Sequence, residues 1–577
     1  MTIVREHHHV RVYRAIWKAI TNFGQEEDNW RADLEYSFMN MQSGNDEELT
    51  PIQKFYNDQN ILITGGTGFM GKLLIERLLR TCLDITCIYL LIRPKKGKTA
   101  LERAEELFRD SIFSKLREEQ PKFENRIVTI ESDCSVPNLD IRINDSVTLI
   151  QEVSIVFHVA ATVRFNEKLK LATAINVRSL KDAINLSKKM SNLESFVYVC
   201  LAYSNYANNP IEEKFYEPPM DAYKLLDLMD SMDEKLIDDI TPQLLGLWPN
   251  TYLYTKSVAE NVVRKNAGMI PIGIFRPGMV ISTYREPIRG WIDNMYGPIG
   301  MTVGAALGLI RSAYCDGSIK MELAPGDLTI NGLIASAWDI ANYQRSSEDI
   351  PIYNYVSKDN TITYDGLKVM SVKYALLIPA KEAIWYLSFR NTKYWPVHLF
   401  YMYFLHFLPA LIIDTVAFCL GKRPRLMKLY NKFHELSYLS GNFTTVQWKF
   451  TNERWNELER KLTTKDRKLF FFDIKDVVWD TYFRTYILGI RTYLLKDPIE
   501  TFPQARRKWQ RFYWMHQGLK LVIAGIFFII AWAIISLSKI IKKDAEEKII
   551  TIYSFANIRI NHFFYLRSRL NRTVGRE

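Results

Sequence analysis

Tyr252 and Lys256 are four residues apart in the stretch 249–260. On a helix, two residues at this spacing project from the same face, one turn apart. A tyrosine with an ordinary pKa of about 10 is a poor proton source at neutral pH, but a neighbouring ammonium stabilises the phenolate and lowers that pKa. The pair therefore predicts a general acid for a carbonyl group that receives hydride, with Lys256 also holding the sugar of a hydride-donating cofactor.

The elements that would position this pair begin with a strand-like run at 61–64 and a glycine turn. Gly65, Gly68 and Gly71 follow the run at three-residue spacing, with Thr67 and Phe69 between them, and leucines then recur at helical spacing. One glycine permits the tight turn, one lets backbone amides approach a pyrophosphate, and one lets helix and strand pack closely. The turn predicts a dinucleotide site with the anion at the positive end of the helix.

The second apolar run, 85–92, ends in Arg93-Pro94-Lys95-Lys96. An acidic residue about 20 positions beyond the glycines would hold the ribose 2′-hydroxyl of NAD. The basic residue Arg93 stands there instead, with lysines around it, which suits a 2′-phosphate. NADPH is therefore predicted in preference to NADH, and a solvated basic turn is the alternative.

Two further strand ends supply candidate cofactor contacts. Asp133 ends the run 126–133, where its carboxylate either accepts from an adenine amino group or serves as an ordinary turn residue. Ala160 ends the run 154–161, and its small side chain lets a cofactor pass close by. His158 lies within the same apolar run, so we interpret it as a hydrogen-bonded core histidine.

Strand-like runs alternate with helical segments through the first half of the chain. The runs are 61–64, 85–92, 126–133, 154–161, 194–200 and 272–277. This alternation predicts an α/β fold with a doubly wound parallel sheet of Rossmann type, whose ligands bind at the carboxyl ends of the strands. Tyr252 and Lys256 fall between the fifth and sixth runs.

Charge and cysteine content restrict the classes of partner. The formal net charge is +11, and the basic residues gather mostly near the C-terminal end, which favours an anionic membrane surface and no nucleic acid. Six cysteines without a CxxC pair argue against disulfides and a zinc site and indicate a reducing compartment. The tract His7 to His9 is interpreted as solvated, so no metal is predicted, and the charged N-terminus does not resemble a signal peptide.

Several motifs together resemble one family. Thr-Gly-Gly-Thr-Gly-Phe-Met-Gly at 64–71, Tyr-Leu-Tyr-Thr-Lys at 252–256, Phe-Arg-Pro at 275–277 and Glu-Pro-Ile-Arg-Gly-Trp-Ile-Asp-Asn at 286–294 resemble the alcohol-forming fatty acyl-CoA reductases of insect type, which are extended short-chain dehydrogenases. The likeness continues through 325–331 into motifs at 408–410, 421–424, 448–450, 476–479, 489–494 and 505–507. It covers residues 50 to 515.

The resemblance implies a reaction and a domain organisation. Hydride from NADPH would reduce the thioester of a long-chain fatty acyl-CoA, CoA would leave, and a second NADPH would reduce the aldehyde to a primary alcohol. Tyr252 would donate the proton with Lys256 as its partner, and Gly65, Gly68, Gly71, Arg93 and Asp133 would hold the cofactor. Arg276 and Pro277 would border the site or would simply shape the loop after the sixth strand. The predicted domains are an N-terminal extension at 1–55, an NADPH-binding domain at 56–350, a mainly helical reductase domain at 351–515, a transmembrane helix at 519–541 and a basic tail at 542–577.

One loop departs from the family pattern. After the fifth strand these enzymes show Ser-Thr-Ala-Tyr-Ser-Asn, whereas this chain has Cys200-Leu201-Ala202-Tyr203-Ser204-Asn205. Loss of one oxyanion-type hydrogen bond typically costs about a hundredfold to a thousandfold in rate, although Ser204 or Tyr203 would substitute if the loop shifted. A weakly active or inactive binding protein for NADPH and acyl-CoA is therefore the rival hypothesis. A membrane-bound hydroxysteroid dehydrogenase is a third, but it does not explain the C-terminal motifs.

Two apolar stretches suggest contact with membrane lipid. Residues 521–537 carry no charge and have lysines at both ends, and as a helix they reach roughly 25 Å, enough for a thin bilayer such as that of the endoplasmic reticulum. The peroxisomal membrane is the alternative, with the catalytic domain cytosolic in either case. The stretch 399–420 is interrupted by His406, Pro409 and Asp414, so an acyl-pocket wall, a half-inserted hairpin and a buried helix pair all fit. The oligomeric state stays open, and a homo-oligomer is possible.

Overall fold

A computed structural model of the chain describes residues 48–343 and 349–573. Most of the predicted N-terminal extension, including His7 to His9, and the end of the predicted basic tail lie outside the described residues. Contacts divide the chain after Ala505 into two units, Met1–Ala505 and Arg506–Glu577. The predicted cofactor and catalytic residues all belong to the first unit.

The first unit contains a seven-stranded parallel sheet. Its strands are β1 Asn60–Thr64, β2 Cys87–Ile92, β3 Ile127–Glu131, β4 Ile155–His158, β5 Ser195–Val199, β6 Ile272–Pro277 and β11 Ile352–Tyr355. The strand order is β11-β6-β5-β4-β1-β2-β3 and every neighbouring pair is parallel. The predicted α/β fold with a doubly wound parallel sheet is confirmed. The seventh strand was not predicted, and it lies beyond the predicted domain boundary at residue 350.

Burial explains why these apolar runs form central strands. Every residue of β4 and β5 is buried, as a parallel sheet covered on both faces requires. The chain order reverses at β1, which pairs with β2 on one side and β4 on the other. A crevice forms where such an order reverses, at the carboxyl ends of the strands, and Gly65 and Ala160 lie just beyond those ends.

Helices cover the sheet and form most of the C-terminal half of the first unit. Their bounds are α1 Pro51–Tyr56, α2 Phe69–Thr81, α3 Ala100–Phe108, α4 Ser114–Glu119, α5 Ile143–Glu152, α6 Leu169–Thr173, α7 Ser179–Ser187, α8 Ala222–Ser231, α9 Glu234–Leu245, α10 Thr251–Asn266, α11 Pro298–Ala306, α12 Gly326–Asn342, α13 Tyr364–Leu377, α14 Trp395–Tyr401, α15 Leu408–Cys419, α16 Leu426–Thr444, α17 Glu453–Lys461, α18 Thr464–Leu469 and α19 Trp479–Gly489. Single π-helical turns occur at Ala174–Arg178, Met402–Phe407 and Ile490–Leu494.

Short strands complete the first unit. They are β7 Met279–Ile281, β8 Ser312–Tyr314, β9 Lys320–Met321, β10 Leu323–Pro325, β12 Ile362–Thr363 and β13 Arg390–Thr392. They pair as β10 with β7, β12 with β9 and β13 with β8. The pairing of β13 with β8 fixes the position of the chain just before the apolar stretch near residue 400.

The C-terminal half is joined to the sheet through the loop that follows β5. Ile211 N donates to Lys449 O at 2.9 Å, and Thr451 N donates to Ile211 O at 3.1 Å. Lys449 N also donates to Asn209 Oδ1 at 3.0 Å, across 240 residues of sequence. This backbone pairing brings the segment around residue 450 to the carboxyl edge of the sheet.

The second unit is the part of the long helix α20, Phe502–Thr573, that begins at Arg506. The uncharged stretch 521–537 lies within it, and the helix continues through most of the predicted basic tail. By length and composition, two helical stretches of the described residues suit a membrane crossing, Trp395–Cys419 and Ile499–Arg567. This finding supports membrane association in general terms.

Candidate active site

The glycine turn brings the end of β1 against the end of β4. Gly65 has φ +77°, and a Cβ atom there would lie 2.7 Å from Ala160 N, so both the backbone conformation and the space require glycine. A Cβ atom on Gly71 would lie 2.6 Å from Gly66 Cα. The first turn of α2 therefore packs directly on the loop, as the spacing predicted.

The N-terminus of α2 offers backbone donors to an anion. Gly68 is the N-cap residue and supplies no side-chain hydrogen bond to the first turn, so amide groups that a serine or aspartate would satisfy are left open. Thr67 and Phe69 flank it, and the Phe69 ring stacks on Trp291 with 5.4 Å between centroids. The loop therefore fits a pyrophosphate on the helix end, although the binding roles of Gly65, Thr67, Gly68, Phe69, Gly71 and Ala160 stay predictions.

Basic side chains gather beyond β2, where the sequence predicted a 2′-phosphate site. Arg103 donates to the carbonyl oxygen of Arg93. The pKa of Lys95 is lowered first by partial burial. The positive charges around it, which include those of Arg93, Arg103 and Arg164, lower it further. The sequence singled out Arg93 and missed Arg103 and Arg164, which arrive from α3 and from the loop after β4. The cluster fits a phosphate group better than a neutral ribose.

Asp133 forms a turn beside this cluster. Its Oδ1 accepts from Ser135 N at 2.8 Å and from Ser135 Oγ at 2.7 Å. Its Oδ2 lies 3.5 Å from Arg93 Nη1. The carboxylate is thus engaged in a turn, and contact with an adenine stays a prediction.

Helix α10 places Tyr252 and Lys256 at the end of β5. Asn250 caps the helix, since its Oδ1 accepts from Leu253 N at 3.0 Å, and Thr251 Oγ1 donates to Glu167 O at 2.8 Å. The Lys256 ammonium is 2% exposed and donates to Val199 O, the last carbonyl of β5, at 2.9 Å. The helix is therefore fixed both to the loop after β4 and to the strand edge.

Tyr252 lies in an apolar setting. Its ring stacks on Phe165 with 6.2 Å between centroids and 18° between planes. Burial, followed by the Cys200 thiol, raises the pKa of Tyr252. The expected lowering of this pKa by Lys256 is not found: desolvation dominates, and Lys256 is not among the groups that shift the phenol. The phenol stays protonated at neutral pH and can donate a hydrogen bond.

Asn176 holds the helix that carries Tyr252, and sequence reasoning missed it. It is 1% exposed and lies in the π-helical turn Ala174–Arg178. Its Nδ2 donates to Thr255 Oγ1 at 2.9 Å, and its Oδ1 accepts from Thr162 N at 2.9 Å. A π turn often marks a functional site, but no feature of the sequence announced this one.

The hydroxyl groups proposed as substitutes after β5 are engaged elsewhere. Ser204 is buried and its Oγ donates to Glu260 Oε1 at 2.9 Å. Tyr203 is 7% exposed and packs edge-on against Phe450 and other aromatic rings. Cys200 Sγ lies 3.8 Å from Lys256 O, and burial raises the pKa of this thiol to about 12. Ser204 is therefore committed to Glu260, and a role for it or for Tyr203 in place of the missing hydroxyls stays a prediction.

Two other residues near the site have structural roles. Arg276 was expected either to border the site or to shape the loop after the sixth strand; it is fully buried and paired with Glu260, which favours a structural role. His158 is fully buried and hydrogen-bonded to Thr64 Oγ1 at 3.1 Å and to Ser179 Oγ at 3.3 Å. Burial, then the charge of Lys256, lowers the pKa of His158 to about 3, which confirms a neutral core histidine.

The C-terminal half closes the side of the site next to Tyr252. Phe443, near the end of α16, stacks on Phe165 with 6.3 Å between centroids. The Tyr206 ring lies between those of Phe443 and Trp448, with 5.6 Å and 5.2 Å between ring centroids. These rings form an apolar wall beside the phenol, suited to a hydrocarbon chain.

Comparisons with known proteins agree with this arrangement. A family model described as male sterility protein, of NAD-binding type, matches residues 63–333. A second family model, which is also described as male sterility protein, matches residues 405–497. Together the two models cover the sheet and much of the C-terminal half.

Two relatives are similar over nearly the whole chain. Fatty acyl-CoA reductase wat of Drosophila melanogaster is 41% identical over 496 residues, which are 86% of this chain and 95% of that protein. Fatty acyl-CoA reductase 1 of Homo sapiens is 34% identical over 491 residues, which are 84% of this chain and 93% of that protein.

Two solved structures are more distant in sequence. The terminal R domain from the myxalamid PKS-NRPS pathway is 18% identical with a TM-score of 0.48, covering 75% of this chain and 90% of that chain. The reductase domain of a nonribosomal peptide synthetase from Mycobacterium tuberculosis is 18% identical with a TM-score of 0.47, covering 78% and 94%.

Proposed function

Since this chain belongs to the fatty acyl-CoA reductase family, we propose that it reduces a long-chain fatty acyl-CoA to a primary alcohol with NADPH as hydride donor. The family and the fold make the protein an oxidoreductase with a nicotinamide cofactor. The observation that carries the finer proposal is the position of Tyr252, protonated and beside an apolar wall at the carboxyl edge of β5. A hydroxysteroid dehydrogenase would leave the matching C-terminal half unexplained.

The proposed reaction has two reductions. Acyl-CoA, NADPH and a proton give aldehyde, free CoA and NADP⁺; aldehyde, a second NADPH and a proton then give the alcohol and NADP⁺. The bound cofactor supplies hydride to the carbonyl carbon in each reduction. Tyr252 donates its hydroxyl hydrogen to the carbonyl oxygen and transfers that proton as negative charge develops there. Lys256, fixed by Val199 O, would orient the cofactor ribose.

The choice of NADPH is supported by the basic cluster. The positive charges of Arg93, Arg103 and Arg164 all lower the pKa of Lys95, so positive charge is concentrated beyond β2. Guanidinium groups suit phosphate oxygens because they donate paired hydrogen bonds in a fixed plane. We therefore propose that this cluster holds the 2′-phosphate, which NADH lacks.

The loop after β5 favours a second candidate function. Cys200 and Leu201 stand where relatives of this type are expected to present two hydroxyls, and Ser204 is committed to Glu260. Tyr252 would then be the main side-chain donor to the carbonyl oxygen, and loss of one such donor typically lowers the rate about a hundredfold to a thousandfold. A weakly active or inactive protein that binds NADPH and acyl-CoA is therefore the second candidate.

The first experiment uses the full chain in detergent with NADPH and acyl-CoAs of several lengths, and measures fatty alcohol. Tyr252→Phe should lower turnover about 10²- to 10⁴-fold, the usual contribution of a general acid. Tyr254→Phe is the matched control, because that buried hydroxyl has no hydrogen-bond partner within the described residues. Equal turnover by wild type and Tyr252→Phe would exclude the proposed chemistry.

The second experiment separates the two candidates. The double variant Cys200→Ser with Leu201→Thr restores both hydroxyls, so we expect a higher rate of alcohol formation. If the wild type binds NADPH and acyl-CoA without consuming them, and only the double variant turns over, the binding-protein function is correct. If wild type makes alcohol and the variant makes no more, the hydroxyls are dispensable here.

We also propose that the apolar helix of the second unit anchors the protein in the endoplasmic reticulum membrane with the catalytic unit in the cytosol. Cytosolic NADPH and acyl-CoA support this orientation, and the short uncharged stretch 521–537 suits a thin bilayer. Imaging of a tagged full chain against endoplasmic reticulum and peroxisome markers tests the organelle. Protease accessibility of the catalytic unit in intact vesicles tests the side.

A further inference from the structure

A helical hairpin projects from the short strand β8. Its outward limb is α14, the π turn Met402–Phe407 and α15, and its return limb is α16; residues 395–444 are called the hairpin below. The Trp395 ring lies 5.2 Å from the Tyr314 ring, and Thr444 Oγ1 donates to Tyr314 O at 2.8 Å. Both ends therefore meet the same strand, so the outward limb is not a single span that leaves its flanking segments on opposite sides of a membrane.

Three ionisable side chains of the outward limb face inward. His398, His406 and Asp414 are 2%, 0% and 8% exposed. His406 Nε2 accepts from Arg311 N at 3.0 Å, and its Nδ1 lies 3.0 Å from His434 Nε2 on the return limb. These imidazole groups join the two limbs and the base of the hairpin.

Asp414 closes the far end of the hairpin. Its carboxylate accepts from Arg425 N at 3.0 Å, Leu426 N at 3.1 Å and Met427 N at 2.9 Å, which are the first amides of the return limb. A carboxylate at a helix N-terminus satisfies those donors without solvent. His406 and Asp414 are thus hydrogen-bonded within the first unit, one near the base of the hairpin and one at its far end.

The opposite face of the outward limb is apolar and exposed. Its large apolar side chains are 47–72% exposed, and they are Phe400, Phe404, Leu408, Leu411, Ile412, Ile413, Val416 and Phe418. A water-soluble helix buries apolar side chains and exposes polar ones, whereas this limb does the reverse. In lipid, ionisable groups face the interior of a helix pair and apolar groups face outward.

Basic residues near the turn of the hairpin indicate that its partner is a lipid surface with anionic headgroups. Lys422, Arg423, Arg425, Lys428 and Lys432 are all exposed there. Such a basic group attracts anionic headgroups, while the apolar face next to it contacts acyl chains. We infer that the hairpin is embedded in a lipid bilayer, as an attachment of the first unit that is separate from the C-terminal helix.

A consequence for the substrate rests on the proposed function. The return limb ends at Phe443, whose ring stacks on Phe165, and Phe165 stacks on Tyr252. An acyl chain that leaves the bilayer along the hairpin reaches an apolar wall beside the phenol. Lipid contact itself does not depend on catalysis, so the two claims fail separately.

The test uses the full chain in vesicles of phosphatidylcholine and phosphatidylserine that include a phosphatidylcholine with a photoreactive diazirine on its acyl chain. After irradiation and digestion, mass spectrometry maps the labelled residues. We expect labelling at Phe404 and Ile412 comparable with that of 521–537, and none above background at Ile143, which is 83% exposed on the sheet side of the unit. Labelling of 521–537 alone would overturn the inference.

Variants and a crosslinking measurement complete the test. Phe404→Glu with Ile412→Glu should abolish labelling of the hairpin and leave that of 521–537 unchanged, whereas Ile143→Glu should change neither. A protein crosslinker applied to the same vesicles detects a second copy on this face. Hairpin-to-hairpin crosslinks without lipid labelling would show that another chain covers the face and would also overturn the inference.

Discussion

Glu260 forms a buried two-point ion pair with Arg276. Arg276 Nε donates to Oε1 at 2.8 Å and Nη2 donates to Oε2 at 2.6 Å, and the side chains are 3% and 0% exposed. Glu260 follows Tyr252 and Lys256 at the same four-residue spacing on α10, so one face of that helix carries the candidate proton donor, its partner and this anchor. Arg276 also donates to Glu212 O at 2.9 Å and Lys214 O at 3.0 Å, which fixes the loop after β5.

Removing one partner of this pair should lower the stability of the folded protein. Glu260→Gln leaves a buried guanidinium without its counter-charge, which typically costs about 3–5 kcal/mol of stability. Thermal unfolding of the full chain in detergent measures the loss. Asp480→Asn is the control, because it breaks the exposed pair with Lys373, and exposed pairs contribute about 0–1 kcal/mol. Equal shifts for the two variants would contradict the structural role of Glu260.

The pH dependence of turnover should show no titration of Tyr252 near neutrality. Burial raises the pKa of Tyr252, so the phenol keeps its proton as the pH rises. The rate should therefore stay level up to at least pH ~9 and fall only above the ordinary tyrosine pKa of about 10. The rate of single-turnover reduction of an aldehyde, measured from neutral pH to above pH ~10, tests this expectation. A decline centred near pH 7 that disappears in Tyr252→Phe would show that the phenol is acidified instead.

His158 should make the fold sensitive to acid. Its pKa is lowered to about 3 by burial and then by Lys256, while an unfolded histidine has a pKa of about 6.5. Between these values the unfolded chain binds a proton that the folded chain does not, so stability is full above pH ~6.5 and falls by about 1.4 kcal/mol per unit as the pH drops.

The difference between wild type and His158→Gln isolates this effect. Glutamine stays neutral at every pH used, so the variant should lose less thermal stability than wild type between pH 7 and 5.5. His562→Gln is the control, since that histidine is exposed in the second unit. Parallel losses in wild type and His158→Gln would show that other groups dominate acid unfolding.

Arg93 should determine the preference between the two nicotinamide cofactors. Loss of a charged hydrogen bond to a 2′-phosphate costs about 1.5–3 kcal/mol, or roughly 10- to 100-fold in affinity. Arg93→Ala should therefore weaken binding of NADPH and leave that of NADH nearly unchanged, as measured by fluorescence titration. Arg109→Ala is the matched control, because Arg109 is 77% exposed and pairs with Glu105. Equal weakening of both cofactors would exclude a 2′-phosphate at Arg93.

The parts of the site that sequence predicted are local ones. The spacing of Gly65, Gly68 and Gly71 encodes a turn whose geometry depends on a few consecutive residues, and the structure has that turn. Tyr252 and Lys256 share a face because a helix repeats every 3.6 residues. His158 was interpreted correctly because an apolar strand leaves a histidine few roles other than a hydrogen-bonded one.

The parts that sequence missed depend on distant contacts. Phe443 reaches Phe165 only after the C-terminal half folds against the sheet, and nothing in either local sequence specifies that contact. Asn176 acts through a π turn that has no clear sequence signal. The pKa of Tyr252 was predicted in the wrong direction because burial, a property of the whole fold, dominates it.

The pairing of residues 209–211 with 449–451 has a consequence for synthesis of the protein. The two segments are 240 residues apart, and a ribosome adds about 5–20 residues per second. The loop after β5 therefore waits roughly 10 to 50 s for its partner at that rate, with the apolar surroundings of Tyr203 and Leu253 uncovered meanwhile. A chain truncated before residue 449 would lack the backbone partners of Asn209 and Ile211, so we expect that flank of the sheet to stay open.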